Sequence, residues 1–574
     1  MNVIKRDGSL EAFDKKKIQV AVGKAMTAEG RRDLAEAGRI ADEIEKRANN
    51  HDISVASIEW LVFQLLCERN LERVARAYEG YRAVRAYQRE HPSRIEEQIQ
   101  ELVAGNSDYW NNENSNKNAK LVTTQRDYMA GIVSTEITRK YLLPPDIVQA
   151  HDKGILHFHD ADYEGQNALT NCCLINLEDM LQYGTVINGV KINKPHRLLT
   201  ATTIASQIIT AVSSSQYGGC TITLSHLAPF VRDSYNWYFN KYKEWGMNDE
   251  EAKVAATADL YEEIKDAVQT FNYQVNSMST TNGQAPFITG FMYIDENPEY
   301  KDETALLISE FLNQRIEGMP DRTGHMGTQS FPKLIYALDE DNINSDSEYC
   351  WVTERAAKST AKRMNPDYVS AKIMKDYKGD VFPSMGCRSW LTPDTATENL
   401  ANANNWVKGH KYYGRFNEGV VTLNLVDLAL SSGGDIDTFW KLFEERTELC
   451  HRALRIRHER LLGTSSDVAP ILWQDGALAR LKPHEPIDKL LCAQYSTISL
   501  GYAGLYECVK YMTGHSHTDG GVGEKFGLEV MQALNDKCEQ WKKAENVGYS
   551  VYGSPEINLR FYGTFTSDGE IKVA

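Results

Sequence analysis

The sequence predicts an α/β fold with a smaller, mostly helical unit at its N-terminus, and three observations point that way. At 574 residues the chain exceeds what one compact core holds. From Thr124-Gln125-Arg126-Asp127 onward, short apolar strand-like runs alternate with helical stretches such as 438–452 and 529–542. Residues 1–92 carry a pattern of their own: a short strand, a turn, then helices.

Within that first unit, Val3-Ile4-Lys5-Arg6 reads as a strand and Asp7-Gly8 as a turn. Asp14 suits a helix N-cap, because Ile18, Val22 and Ala25 then recur at helical spacing. Lys15, Lys16 and Lys17 fill the first helical turn, where the helix dipole favours negative charge. Either a solvated lysine face accounts for them, or a phosphate held by the free N–H groups and the flanking lysines. A helix is expected over Ile95–Leu102 and a polar surface loop over 111–118.

Composition narrows the function classes. A hydrophobic content of 42% with 25% charged residues is that of an ordinary globular protein. The formal charge of −16 argues against a surface built for the nucleic-acid backbone, though small nucleotides are still allowed. No apolar run approaches the ~18 residues of a membrane span, and the polar N-terminus lacks a signal-peptide core, so a cytoplasmic location with no membrane partner is expected. Ten cysteines without any C-x-x-C pair fit a reducing compartment and offer no tetrathiolate zinc site. Neither G-x-x-x-x-G-K nor G-x-G-x-x-G occurs.

Three segments carry the chemistry: Leu169-Thr170-Asn171-Cys172-Cys173-Leu174, Pro383-Ser384-Met385-Gly386-Cys387-Arg388-Ser389, and Gly414-Arg415-Phe416-Asn417-Glu418-Gly419 running on to Leu425. If 169–175 is a strand, Cys172 and Cys173 face opposite sides, which makes Cys173 a packed core thiol. Alternation likewise turns Glu418 away from Asn417, and the flanking Gly414 and Gly419 suit a tight turn. His157-Phe158-His159-Asp160 puts two imidazoles on one face, too few ligands for a metal site. The hydroxyls of 495–502, with Gly501 just before a helical stretch, suit donors around a phosphate. Asn282-Gly283-Gln284 reads as a turn.

Together these segments closely resemble anaerobic (class III) ribonucleotide reductase, a glycyl-radical enzyme, from the first residues to about Pro555. Val3 to Gly8, Phe13-Asp14 and Lys17-Ile18, continuing to Tyr87, look like its ATP-cone. The resemblance implies ATP and dATP as allosteric effectors at Val3, Lys5, Arg6, Asp7, Gly8 and Lys17, with Arg82, Arg85 and Arg89 on the cone's closing helix. It implies an ATP-cone over 1–92, a helix and linker over 93–122, a ten-stranded α/β barrel over 123–555 and an unmatched tail over 556–574. The implied reaction converts ribonucleoside triphosphates to 2′-deoxyribonucleoside triphosphates by thiyl-radical chemistry. In it Cys172 is the thiyl, Cys387 the second cysteine and Asn417 the uncharged polar group beside the sugar. Met385 together with Asn417 resembles the subgroup that takes formate as reductant, and His159, Thr497, Ser499 and Gly501 are substrate-site candidates. A homodimer and a radical S-adenosylmethionine iron–sulfur activase are implied as well.

Family members also carry two C-x-x-C pairs for zinc and an R-x-C-G-Y-x-G loop that stores the glycyl radical; neither motif occurs here, and Glu556 to Gly563 does not continue the family pattern. Cys172 then has no oxidant within the chain, so the chain alone is expected to be inactive. The radical loop belongs to a longer form, to a separate C-terminal polypeptide, or has been lost in a nucleotide-sensing remnant. A rival formate-lyase-type glycyl-radical enzyme would use Cys172-Cys173 as an adjacent pair, but it predicts no cone and gives Cys387 no role.

Overall fold

The computed structural model describes all residues except 6–8, 30, 32, 80–93, 106–117, 119, 167–169, 387–388, 395–411, 554–562, 566–570 and 574. Arg6, Asp7, Gly8, Arg82, Arg85, Arg89 and Cys387 therefore lie outside the described residues. The rest separates into two units, 1–101 and 102–574.

In the first unit, β1 (Asn2–Ile4) pairs antiparallel with β2 (Leu10–Ala12) and parallel with β3 (Ile53–Ser54). Helices α1 (Lys15–Ala28), α2 (Leu34–Ala48) and α3 (Val55–Glu68) enclose a core that includes Ile18, Val22, Ile40, Ile44, Val62 and Leu66. Asp14 caps α1, accepting from the Lys16 N–H at 2.9 Å, as its place before the apolar stripe predicts. The helix expected over 95–102 spans Arg94–Ala104.

The second unit begins with α4 (Val122–Ile137) and holds two mainly parallel sheets. The first contains β5 (Cys173–Leu174), β6 (Cys220–Thr223), β7 (Ile288–Met292), β8 (Lys333–Leu338) and β9 (Asp367–Ser370), all parallel and in that spatial order. The second contains β4 (Leu156–Phe158), β10 (Asn417–Asn424), β11 (Thr497–Ala503) and β12 (Tyr549–Gly553), with β4 antiparallel and the others parallel. An antiparallel bridge between Cys173 and Phe416 joins the two. The α/β expectation thus holds. The long parallel crossovers follow from the sequence, since parallel neighbours need a connection of a dozen residues or more, here mostly helical.

Each sheet has a helix-covered face and a second face of different character. On the covered side of the first sheet, Cys173, Cys220, Ile222, Ile288 and Tyr336 share a core with residues of α5 (Leu198–Ser213) and α6 (Asp249–Ser277). On that of the second, Val421, Leu423, Ile498, Leu500 and Tyr549 pack with residues of α7 (Ile436–Leu461) and α8 (Val522–Glu545). Each fully buried aliphatic or aromatic side chain there contributes roughly 1.5–3 kcal/mol. The opposite face of the first sheet is apolar, with Cys172, Leu174, Phe291, Ile335 and Ala337 against Val381, Phe382 and Met385 of the segment that links the sheets. The opposite face of the second is polar, carrying Asn417, Thr422, Thr497 and Ser499. No described helix is long and apolar enough to cross a membrane.

Candidate active site

Cys172 and Asn417 face one another where the sheets join. The bridge Cys173–Phe416 is antiparallel, so the preceding and following residues form the next pair, on the opposite face. The Asn417 N–H donates to the Cys172 carbonyl at 2.8 Å and the Asn171 N–H to the Asn417 carbonyl at 2.9 Å. Strand β5 proper is only two residues long, shorter than the expected 169–175, because the ladder passes from β6 on one edge to this irregular pairing on the other. The alternation is preserved all the same. Cys172 lies among the apolar inner residues, its thiol donating to Asn171 Oδ1 at 3.3 Å. Cys173 sits in the helix-covered core beside Cys220, and burial pushes its thiol well above the ordinary range.

Glycines let three segments meet here. A Cβ on Gly218 would overlap Asn171, and one on Gly219 would overlap the Phe287 ring. A Cβ on Gly386 would lie 2.9 Å from Phe287 and 3.1 Å from Gly219 Cα. The Gly219 carbonyl takes the Cys173 N–H at 3.1 Å. Met385 is buried in the same inner cluster as Cys172, and the neighbouring Ser384 carbonyl accepts from Thr221 Oγ1 at 3.0 Å. The sequence motif around Cys387 is thus brought to the Cys172 strand through Ser384, Met385 and Gly386. The turn at 282–284 has Gly283 at φ +69°, and it leads directly to the Phe287 wedge.

The polar side is organised by Asn417. Its Nδ2 donates to Thr497 Oγ1 at 3.1 Å and to Ser499 Oγ at 3.0 Å, and Ser499 Oγ meets Ser550 Oγ at 3.3 Å. Its Oδ1, in a side chain only 2% exposed, has no hydrogen-bond partner among the described residues. A buried amide oxygen left without a donor costs about 1–3 kcal/mol, so this acceptor is poised for a ligand hydroxyl or a water. Gly501 pairs with Thr422 and Tyr552 on the flanking strands. Glu418 is turned away, as alternation predicts: Ser496 Oγ donates to it at 2.6 Å and His458 Nδ1 lies 2.9 Å from its other oxygen.

His159 Nε2 meets Thr422 Oγ1 at 2.7 Å, and the His157 and His159 rings lie edge to face at 4.5 Å. Burial, followed by the neighbouring His157 and Arg457 charges, holds His159 well below its ordinary range, so it is neutral. No described cluster of three or more His, Cys, Asp or Glu is arranged to hold a metal. Two participants escaped the sequence reading. Tyr217 and Arg457 meet at 2.8 Å, the guanidinium also donating to the His159 carbonyl. The run Tyr217-Gly218-Gly219-Cys220 held a usable signal, since paired glycines at a strand entry mark a close backbone approach.

In the first unit, Val3 lies in β1, and Lys17 and Lys5 both pair with Glu11, which holds that carboxyl down at about 2. Lys15 pairs with Asp42 and Glu45. Carboxylates from neighbouring elements thus answer Lys15 and Lys17 at the start of α1.

A buried thiol beside an uncharged polar amide, at the junction of two mainly parallel sheets, defines a class of α/β enzyme with a sheltered cysteine. The family model described as anaerobic ribonucleoside-triphosphate reductase matches residues 113–559, and that of the ATP cone domain matches 1–87. The chain belongs to the anaerobic ribonucleoside-triphosphate reductase family, whose members are oxidoreductases. It is 35% identical over 566 residues to the anaerobic ribonucleoside-triphosphate reductase of Salmonella typhimurium, covering 97% of this chain and 77% of that protein. The phage T4 enzyme of the same name is 35% identical over 478 residues, covering 81% and 74%. Among solved structures, the anaerobic ribonucleotide reductase of Thermotoga maritima in complex with dATP and CTP matches with a TM-score of 0.54 at 14% identity, over 82% of this chain and 76% of that one. At that identity the likeness speaks for the fold.

Proposed function

We propose that this chain reduces ribonucleoside triphosphates to 2′-deoxyribonucleoside triphosphates in the chamber between Cys172 and Asn417, with formate as reductant. The observation that carries the reading is Asn417 Oδ1, beside Cys172 and without a hydrogen-bond partner among the described residues, an acceptor suited to a sugar hydroxyl. A thiyl radical removes the 3′-hydrogen, and the 2′-oxygen leaves as water after taking up a proton. Two electrons and a proton from formate, which departs as carbon dioxide, complete the deoxyribose, and the 3′-hydrogen returns to regenerate the thiyl. Cys172 and Cys387 share the hydrogen-atom chemistry, Asn417 orients the hydroxyls, and Met385 lines the apolar side. Thr497, Ser499 and Gly501 form the polar floor, and neutral His159 fixes its edge through Thr422.

The glycyl radical that generates the thiyl is supplied by residues matching none of these 574, through an iron–sulfur, S-adenosylmethionine-dependent activase. Among the described residues no cluster fits the family's zinc, and no step is assigned to it. The protein acts in the cytoplasm as a homodimer, with ATP and dATP tuning activity through the cone at Val3, Lys5, Arg6, Asp7, Gly8 and Lys17.

The reaction is tested under anoxia with CTP, labelled formate, the activase and a radical-bearing C-terminal polypeptide. One carbon dioxide per deoxycytidine triphosphate is expected. Deoxynucleotide formed without formate oxidation would remove formate from the scheme, and failure of CTP to protect Cys172 from alkylation would remove the substrate site. Exchange of the 3′-hydrogen in Cys172→Ser and Cys387→Ser identifies the abstracting sulfur, because only the variant that keeps it still exchanges.

A further inference from the structure

The side chain of Arg457, on α7 and only 2% exposed, meets residues of four chain segments, at 158–159, 164, 217 and 419. One terminal nitrogen donates to the Tyr217 hydroxyl at 2.8 Å and the other to the His159 carbonyl. Its Nε lies 3.6 Å from Glu164 Oε2, and its carbon lies 4.2 Å above the Phe158 ring. Gly419 sits at φ +151° in the bulge between Asn417 and Val420, and a Cβ there would overlap the Arg457 side chain. Burial works against the charge, but the surroundings of Tyr217, Glu164 and Asp160 outweigh it and keep Arg457 cationic.

These contacts lead to the reacting groups in one step each. The Tyr217 N–H donates to the Thr170 carbonyl at 3.3 Å and the Gly218 N–H to the Asn171 carbonyl at 3.1 Å, so Tyr217 is tied to the segment that leads into Cys172. Tyr163 stacks on the Tyr217 ring at 5.4 Å and fixes its direction. Gly419 follows Asn417 by two residues. We propose that Arg457 is a positioning residue that sets the separation of Cys172 from Asn417, through Tyr217 on one side and the Gly419 bulge on the other.

A guanidinium suits the task because its donors diverge in a fixed plane, whereas an ammonium is a single point and cannot hold Tyr217 and His159 together at this geometry. The inference rests on the proposed reaction for its turnover readout alone. Arg457→Lys keeps the charge and loses the fork; Gly419→Ala keeps the arginine and displaces it. Arg457→Lys is expected to melt within a few degrees of the parent and Gly419→Ala lower, from backbone strain and overlap; both should hold KM within about threefold while kcat drops by about a hundredfold, the usual effect of a misplacement near 1 Å. Alkylation of Cys172 by iodoacetamide, followed by mass spectrometry, is expected to accelerate about tenfold. The rate at Cys67, in the other unit, should stay constant.

An unchanged Cys172 rate, or a common rise at Cys67, Cys492 and Cys172 with a lowered melting temperature, overturns the positioning role. If the parent makes no deoxynucleotide with the activase and the radical-bearing polypeptide present, the proposed reaction falls, and the alkylation comparison still decides the role of Arg457.

Discussion

The main-chain N–H of Asn417 donates to the carbonyl of Cys172 at 2.8 Å, although 244 residues separate the two in sequence. One backbone bond thus joins the apolar inner face of the first sheet to the polar inner face of the second. The side chains on either side of it stand where the two sheets meet for that reason.

That junction separates the two adjacent cysteines by role. Cys173→Ala should destabilise the protein by about 1–2 kcal/mol, as loss of a small packed group does, and leave turnover within about threefold. Cys172→Ala should cost a similar amount of stability but abolish turnover. Equal loss of activity in both variants would favour chemistry at an adjacent thiol pair instead. Denaturant unfolding alongside the anaerobic assay reads both quantities.

Asn417 is the most exacting polar position. Asn417→Ala removes the donor to Thr497 and Ser499, with an expected cost of about 1–3 kcal/mol and a turnover loss of at least a hundredfold. Asn417→Asp places a carboxylate in a buried site with no cation beside it among the described residues, so it should lose more stability at pH 8 than at pH 5, where burial keeps the carboxyl neutral. A stability loss independent of pH would contradict that picture.

Gly218 tests the close approach. Gly218→Ala brings a methyl into Asn171, whose side chain holds the Cys172 thiol, and is expected to cost more than about 3 kcal/mol or to prevent folding. Gly246→Ala, at φ +89° with open space around it, serves as the control for backbone strain alone and should lose about 1 kcal/mol.

The histidine pair gives a pH signature. Burial, then the His151 and Arg457 charges, brings His157 down to about 4 from its ordinary 6.5. Between those values the unfolded chain binds the proton and the folded one does not, so stability falls as pH drops from 6.5 towards 4, by up to about 3 kcal/mol from this residue. His159 shifts in the same direction. Melting temperature against pH should therefore have a shallower acid limb in His157→Gln, and identical limbs would rule out the assignment.

In the cone, Glu11→Gln frees Lys5 and Lys17 from their shared carboxylate. With the pair exposed, the melting temperature should scarcely move. ATP affinity should rise, most at low salt, if these lysines meet phosphate. Lys17→Gln should lower it, and indifference of ATP to both changes would move the effector site elsewhere.

Much of this was legible in the chain. The apolar stripe of Ile18 and Val22 behind Asp14, the alternation separating Cys172 from Cys173, and the turning of Glu418 away from Asn417 all follow from local periodicity, which backbone geometry fixes without knowledge of distant partners. The start of α1 was only half legible: three lysines against the dipole were visible, but Glu11, Asp42 and Glu45, which answer Lys15 and Lys17, come from β2 and from a different helix.

What the sequence by itself determined was the identity and facing of each reactive group, together with the family that its motifs resemble. What only the tertiary structure decided was their company: Asn417 with Thr497 and Ser499, Gly386 with Phe287, and Arg457 with Tyr217 and His159. Those pairings span 80 to 298 residues, and no periodicity encodes them. They arise when parallel crossovers bring strands together and glycines let backbones close to contact.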